Sequence, residues 1–293
     1  MTEFHEVFRT PHERSCRERA LVLTSQGIPF QRLDVAGFHV LLVETAFVAR
    51  AAEELRRYED ENRGAGRRMP LPPAAPLAVQ GSATFALVLV AFGLFQWRSA
   101  LGVDWLEVGV ARASDITSGE VWRALTALLL HAELAHLASN LVFGLAFGYL
   151  VAHVHGGGLG WLAILVAGVL GNWTNAWLQP PGHRSIGAST AVFGAIGILC
   201  GSEARRRHLL LEPRTRRAAP VAVAAMFLAY LGVGEVQPPH SVDVLAHVFG
   251  LAWGLALGAL LPASGALRSR AQIACGVGAL LCIAFAWLAA LFL

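Results

Sequence analysis

Ser189, His247, His136 and Asn140 are polar residues set into long apolar runs, and their types and spacing suit acyl transfer to a hydroxyl. Ser189 lies in Gly187-Ala188-Ser189-Thr190, where one such run begins. The first N–H groups of a helix have no intrahelical partner and the dipole is positive there. A serine at that place can attack a carbonyl while nearby N–H groups hold the oxyanion that forms. The competing reading is a small residue that lets helices pack closely, which Gly187, Ala188, Gly194 and Gly197 also indicate. His247, in Ala246-His247-Val248-Phe249-Gly250, precedes glycines at Gly250, Gly254 and Gly258. That spacing strips one helix face of side chains, as close backbone approach requires, and His247 at i, i+3 from Gly250 lies on roughly the same face. It is where a general base for Ser189 belongs; the alternative is a histidine bonded to a neighbouring carbonyl.

A third group is His131-Ala132-Glu133-Leu134-Ala135-His136-Leu137-Ala138-Ser139-Asn140. His136 and Asn140, at i and i+4, share a face, and both can donate to an oxyanion. His131 stands about 140° around the helix from His136 and has a separate task. The zinc-protease motif sets two histidines four apart with Glu directly after the first. Here the spacing is five and Glu133 follows His131 by two, which argues against a metal.

The elements that must position these residues follow from composition. The chain has 293 residues, a formal charge of +3, 55% hydrophobic and 15% charged residues, and a mean hydropathy of +0.54. Soluble domains carry about 25% charged residues, so most of this chain is not meant for water. There is no lysine, and 11 of the 23 arginines fall in residues 1–68. A soluble enzyme is excluded, as is nucleic acid as a partner, since no basic face or stripe is present. The four cysteines lack any paired spacing. Residues 1–9 do not read as a signal peptide.

Stretches of about 20 apolar residues, enough to cross a bilayer, occur near 78–97, 134–153, 159–178, 187–204, 219–236, 243–262 and 271–292. The fourth is, with the fifth, the shortest, and it is the richest in small residues. Arginines cluster before the first, between the fourth and fifth (Arg205 to Arg217) and between the sixth and seventh (Arg268, Arg270). Because cytoplasmic loops carry the Lys/Arg excess, the N-terminus is expected inside and Leu293 outside. Residues 1–62 read as a cytoplasmic helix–strand–strand–helix domain, with Gly37 in the turn between strands, and 63–77 as a linker. Residues 78–262 form a six-span core and 263–293 a loop and seventh span. With this topology the three polar groups all fall near the outer surface. One polar residue in a span can simply glue helices together; three at one depth imply a site.

In these residues the chain resembles the rhomboid intramembrane serine proteases. The likeness runs from Trp122 to Gly258 through Trp122-Arg123, the His-x4-His-x3-Asn of 131–140, Gly187-x-Ser189, and Ala246-His247-x-x-Gly250-x-x-x-Gly254. It implies an all-α polytopic fold of six helices plus a C-terminal seventh, behind a small α+β domain. It further implies Ser189 as nucleophile, His247 as base, and His136, Asn140 and the Ser189 N–H as oxyanion donors. His131, Trp122 and Arg123 would support the outer loop, Gly187, Gly250 and Gly254 would permit close packing, and Phe193 would pack on the imidazole. No metal or cofactor is implied. The expected partners are single-span membrane proteins and the lipid bilayer, with the chain in a bacterial inner (plasma) membrane. Thr190 stands where the family has Gly and is expected to narrow the approach of spans four and six. Ala152, His153 and His155 occupy the region of a family glutamate. A catalytically silent, helix-binding relative is the alternative reading; a transporter would show inverted repeats, and none is visible.

Overall fold

The computed structural model describes residues 3–62, 77–231, 243–262 and 267–293. The expected linker 63–77, with Arg63, Arg67 and Arg68, lies outside the described residues except for Leu77, as do 232–236 of the expected fifth span.

The first compact unit, Met1–Leu71, contains strand β1 (Phe4–Thr10), helix α1 (Glu13–Ser25), strands β2 (Phe30–Val35) and β3 (Phe38–Glu44), and helix α2 (Val48–Asn62). The strands form an antiparallel sheet in the order β1-β3-β2. α1 stops because Gly27 takes φ +65°, which lets Ile28 N–H bond back to the Leu23 carbonyl. The β2–β3 hairpin turns through Ala36 and Gly37, both at positive φ, as tight hairpins prefer. Cys16, Leu23, Leu41, Val43, Ala51 and Leu55 form the core between sheet and helices. The expected helix–strand–strand–helix order therefore needs a correction: a further strand, β1, comes first. A register shift between Glu6 and Phe8 puts Val7 and Phe8 both against the core. That bulge erases the alternation by which a strand is read.

The second unit, Pro72–Leu293, begins with α3 (Ala78–Trp97) and a structured loop with helices α4 (Trp105–Gly109), α5 (Ala113–Ser118) and α6 (Arg123–Thr126). Between α4 and α5, strand β4 (Ala111–Arg112) pairs with β5 (Arg184–Ser185), just ahead of Ser189. Five helices of 17–22 residues follow: α7 (Leu134–His155), α8 (Gly157–Leu178), α9 (Ser189–Leu209), α10 (Arg214–Leu231) and α11 (Val244–Leu260). The last is α12 (Ser269–Phe292), of 24 residues. Among the described residues α3, α7, α8 and α12 are long and apolar enough to cross a membrane, and α11 is a shorter apolar helix. α9 and α10 carry the charges of Glu203–Arg207 and Arg214–Arg217. The apolar part of the fourth span is short, as expected, but its helix continues beyond it to Leu209, with Arg206 and Arg207 paired to Glu203.

α9 and α11 touch backbone to backbone. A Cβ on Gly254 would stand 2.2 Å from the Gly194 carbonyl oxygen, and one on Gly250 2.2 Å from that of Thr190. Any side chain there would force the helices apart. At the far ends of these helices the His155 ring lies 2.8 Å from both Ser202 Oγ and the Pro262 carbonyl. It thereby ties α7 to α9 and to the chain after α11.

Candidate active site

Ser189 is the first residue of α9. Its entry is fixed from the loop side, since the β4–β5 pairing holds Arg184 and Ser185 and the Gly187 N–H bonds the Ala127 carbonyl at 2.9 Å. Gly187 turns the chain at φ +118°, and a Cβ there would stand 2.6 Å from His136 Nε2. Both the conformation and the space require glycine.

Ser189 Oγ lies 2.8 Å from His247 Nε2, a distance at which the hydroxyl donates to an unprotonated ring nitrogen. His247 is only 5% exposed, and the Phe193 ring stacks on it at 4.6 Å and 27°. Phe193 is one turn past Ser189 on the same helix, so α9 holds both the hydroxyl and the surface against which the imidazole rests. The Thr190 methyl lies at the contact of α9 and α11, 3.1 Å from where a Cβ on Gly250 would stand. The residue is buried, and its methyl fits a notch where Gly171 of α8 lacks a side chain.

His136 and Asn140 face this place from α7, both beside Gly187. The Asn140 amide donates to the His136 carbonyl at 3.0 Å. His131, fully buried, accepts from the Ala188 N–H at 3.4 Å. Burial above all, with His136 nearby, pushes its imidazole down to about 3, so it is neutral and able to accept. Arg123 donates to the carbonyls of Glu107 and Val110 and to Glu120, joining α6 to α4. Trp122 sits beside it with a buried indole N–H that has no partner among the described residues.

Sequence reasoning missed four residues. Gln96 of α3 clamps the His131 backbone, donating to its carbonyl at 2.9 Å and accepting its N–H at 3.0 Å. Asp243 caps α11 by accepting the Ala246 N–H, while its other oxygen accepts from Asn175 and His183 at 2.7 Å each. Asp243 one turn ahead of His247 carries a readable signal, an acidic N-cap before an apolar run. Gln96, Asn175 and His183 carry none, because their partners are 35 to 68 residues away.

These helices and this cluster define the class: a multi-pass integral membrane protein with a polar site at one end of its apolar helices. A family model described as "Rhomboid domain" matches residues 118–264, half of the chain. The chain belongs to the rhomboid family. It is 30% identical over 196 residues to "Rhomboid protease GluP" of Bacillus subtilis, covering 66% of this chain and 34% of that one. It is 26% identical to "Putative rhomboid protease YdcA" of the same organism, over 62% and 83% of the two chains. It is 30% identical to "Rhomboid-like protease 3" of Toxoplasma gondii, over 51% and 55%. The chain thus spans about a third of the first of these relatives and about half of the third.

Proposed function

We propose that this protein is an intramembrane serine endopeptidase whose dyad is Ser189 and His247. The observation that carries the reading is the 2.8 Å separation of Ser189 Oγ and His247 Nε2 at the start of α9. The relatives' names, protease in each case, support it.

In this mechanism Ser189 Oγ attacks the scissile carbonyl carbon as its proton passes to His247 Nε2. The carbonyl oxygen becomes an oxyanion held by the Ser189 N–H, His136 and Asn140. Asn140 donates its second amide hydrogen, the first being bonded to the His136 carbonyl. Collapse breaks the C–N bond, and His247 hands its proton to the leaving amine. Water, deprotonated by the same imidazole, then releases the acyl group. Phe193 helps to orient the histidine by stacking on it. The substrate is a single-span helix, which must unwind locally because its carbonyls are already bonded. Cleavage near Gly, Pro or Ser close to the outer surface follows. The arginine clusters support a cytoplasmic N-terminus and an extracytoplasmic site.

A tagged single-span substrate co-expressed with wild type and Ser189→Ala tests the assignment. Cleavage by the wild type alone, with fluorophosphonate labelling lost in Ser189→Ala, is expected. Asn140→Ala should slow turnover about 10²–10³-fold. Unchanged cleavage by Ser189→Ala, or a product terminus on the cytoplasmic side, would overturn it.

A further inference from the structure

Away from the dyad, α3, α8 and α12 leave between them a cavity of about 280 Å³. Among the described residues no charged one lines it; its walls are side chains such as Phe85, Trp161, Ile164 and Val277. On α12 the lining runs from Gln272 to Ile283, about 17 Å at 1.5 Å per residue. On α3 it runs from Leu77 to Leu89, about 18 Å. The space is therefore a long slot lying along the helices rather than a round hollow. One end is bounded by Gln272, whose Oε1 accepts from the N–H groups of Gly158 and Leu159 and whose amide donates to the His155 carbonyl. The other end is walled by Ala188 and Ala191, on either side of Ser189.

Among the described residues, two arginines stand at the Gln272 end. Arg268 and Arg270 start α12, both are exposed, and neither forms an ion pair among the described residues. Arg270 is at i−3 from Ile273 and i−7 from Val277, both lining residues, so it shares the slot-facing stripe of the helix. Arg268, the N-cap, directly precedes the same stripe. The N-terminal end of the α12 dipole adds positive potential there.

We propose that this slot is a lipid site, holding one acyl chain of an anionic glycerophospholipid whose phosphate lies at Arg268 and Arg270. A helix with its side chains is about 10 Å across and is too wide for 280 Å³ spread over that length; one hydrocarbon chain is not. A soluble metabolite would leave its polar groups unpaired against these walls. Basic groups between membrane helices favour anionic over zwitterionic headgroups. The chain end then rests against Ala188 and Ala191, directly behind the turn that carries Ser189.

The full chain in phosphatidylcholine vesicles, doped with phosphatidylglycerol carrying a diazirine near its acyl terminus, tests this by photocrosslinking and peptide mass spectrometry. Adducts concentrated on slot residues such as Phe85, Ile164 and Val277 are expected, with yield falling on the order of ten-fold in the Arg268→Gln/Arg270→Gln variant. Val277→Trp, which fills the slot, should abolish them. Adducts spread evenly over the lipid-facing helix surfaces would overturn the proposal. So would equal yield from diazirine-bearing phosphatidylcholine, which would mean the slot takes any hydrocarbon. The wild-type map does not depend on a variant folding, and it reads no proteolysis, so it stands or falls apart from the dyad.

Discussion

Thr190 and Gly171 interlock. A Cβ on Gly171 would stand 2.6 Å from the Thr190 methyl and 2.9 Å from the Gly250 nitrogen, so α8 supplies the gap that the residue after Ser189 needs. Gly171→Ala should destabilise the protein by about 1–3 kcal/mol through overpacking. Thr190→Ser, which removes only the methyl, should recover part of that loss. Thermal unfolding of the double-mutant cycle checks it; additive effects of the two changes would show that the contact carries no energy.

The Asp243 carboxylate accepts from the Ala246 N–H, Asn175 and His183 while starting the helix that bears His247. Asp243→Ala leaves buried donors unpaired and should cost about 2–3 kcal/mol. If His247 is the base, as proposed, the loss loosens it rather than the substrate surface, so kcat should drop at least about ten-fold with KM little changed. Asp243→Asn, which keeps an acceptor, should recover most of the rate. A rise in KM alone would show that Asp243 does not position His247.

Gln96 forms two hydrogen bonds with the backbone of one residue, His131, whose ring accepts the Ala188 N–H. Gln96→Ala should speed amide hydrogen exchange at His131 at least about ten-fold. Gln96→Glu should do so less, since it still accepts the His131 N–H. Equal protection in all three proteins would mean the loop is held without the clamp.

Glu107 in the loop between α3 and α7 accepts from Arg112 and from Arg184, the residue that pairs β4 with β5. The Arg112 hydrogen bond first, then that of Arg184, holds its carboxyl below the ordinary value of 4.5. A lowered folded value means a contribution that is complete above 4.5 and lost as the pH falls through the lower folded value. Wild type should therefore have a higher Tm than Glu107→Gln near neutral pH, and the gap should close on acidification. A gap constant with pH would mean that the carboxylate's charge is not what anchors the loop.

Much of the scaffold is legible in the residue order. Apolar length alone marks α3, α7, α8 and α12, because a bilayer demands continuous runs and the code for them is local. Glycines every four residues at Gly250, Gly254 and Gly258 announce a bare helix face before any partner is known. The start of α9 at Ser189 follows equally from nearest neighbours. Where local rules are broken the reading fails: β1 escapes because its bulge puts Val7 and Phe8 on one side.

What only the tertiary structure decided is which distant groups meet. The sequence put a hydroxyl and an imidazole 58 residues apart, each at the start of a helix; their approach to 2.8 Å depends on α9 and α11 touching backbone to backbone. The hold of Gln96 on His131, of Asn175 and His183 on Asp243, and of Gly171 on Thr190 left no trace in spacing. Each is a contact between elements far apart along the chain, set by how whole helices pack, and packing is a property of three-dimensional shape that no local pattern of residues encodes.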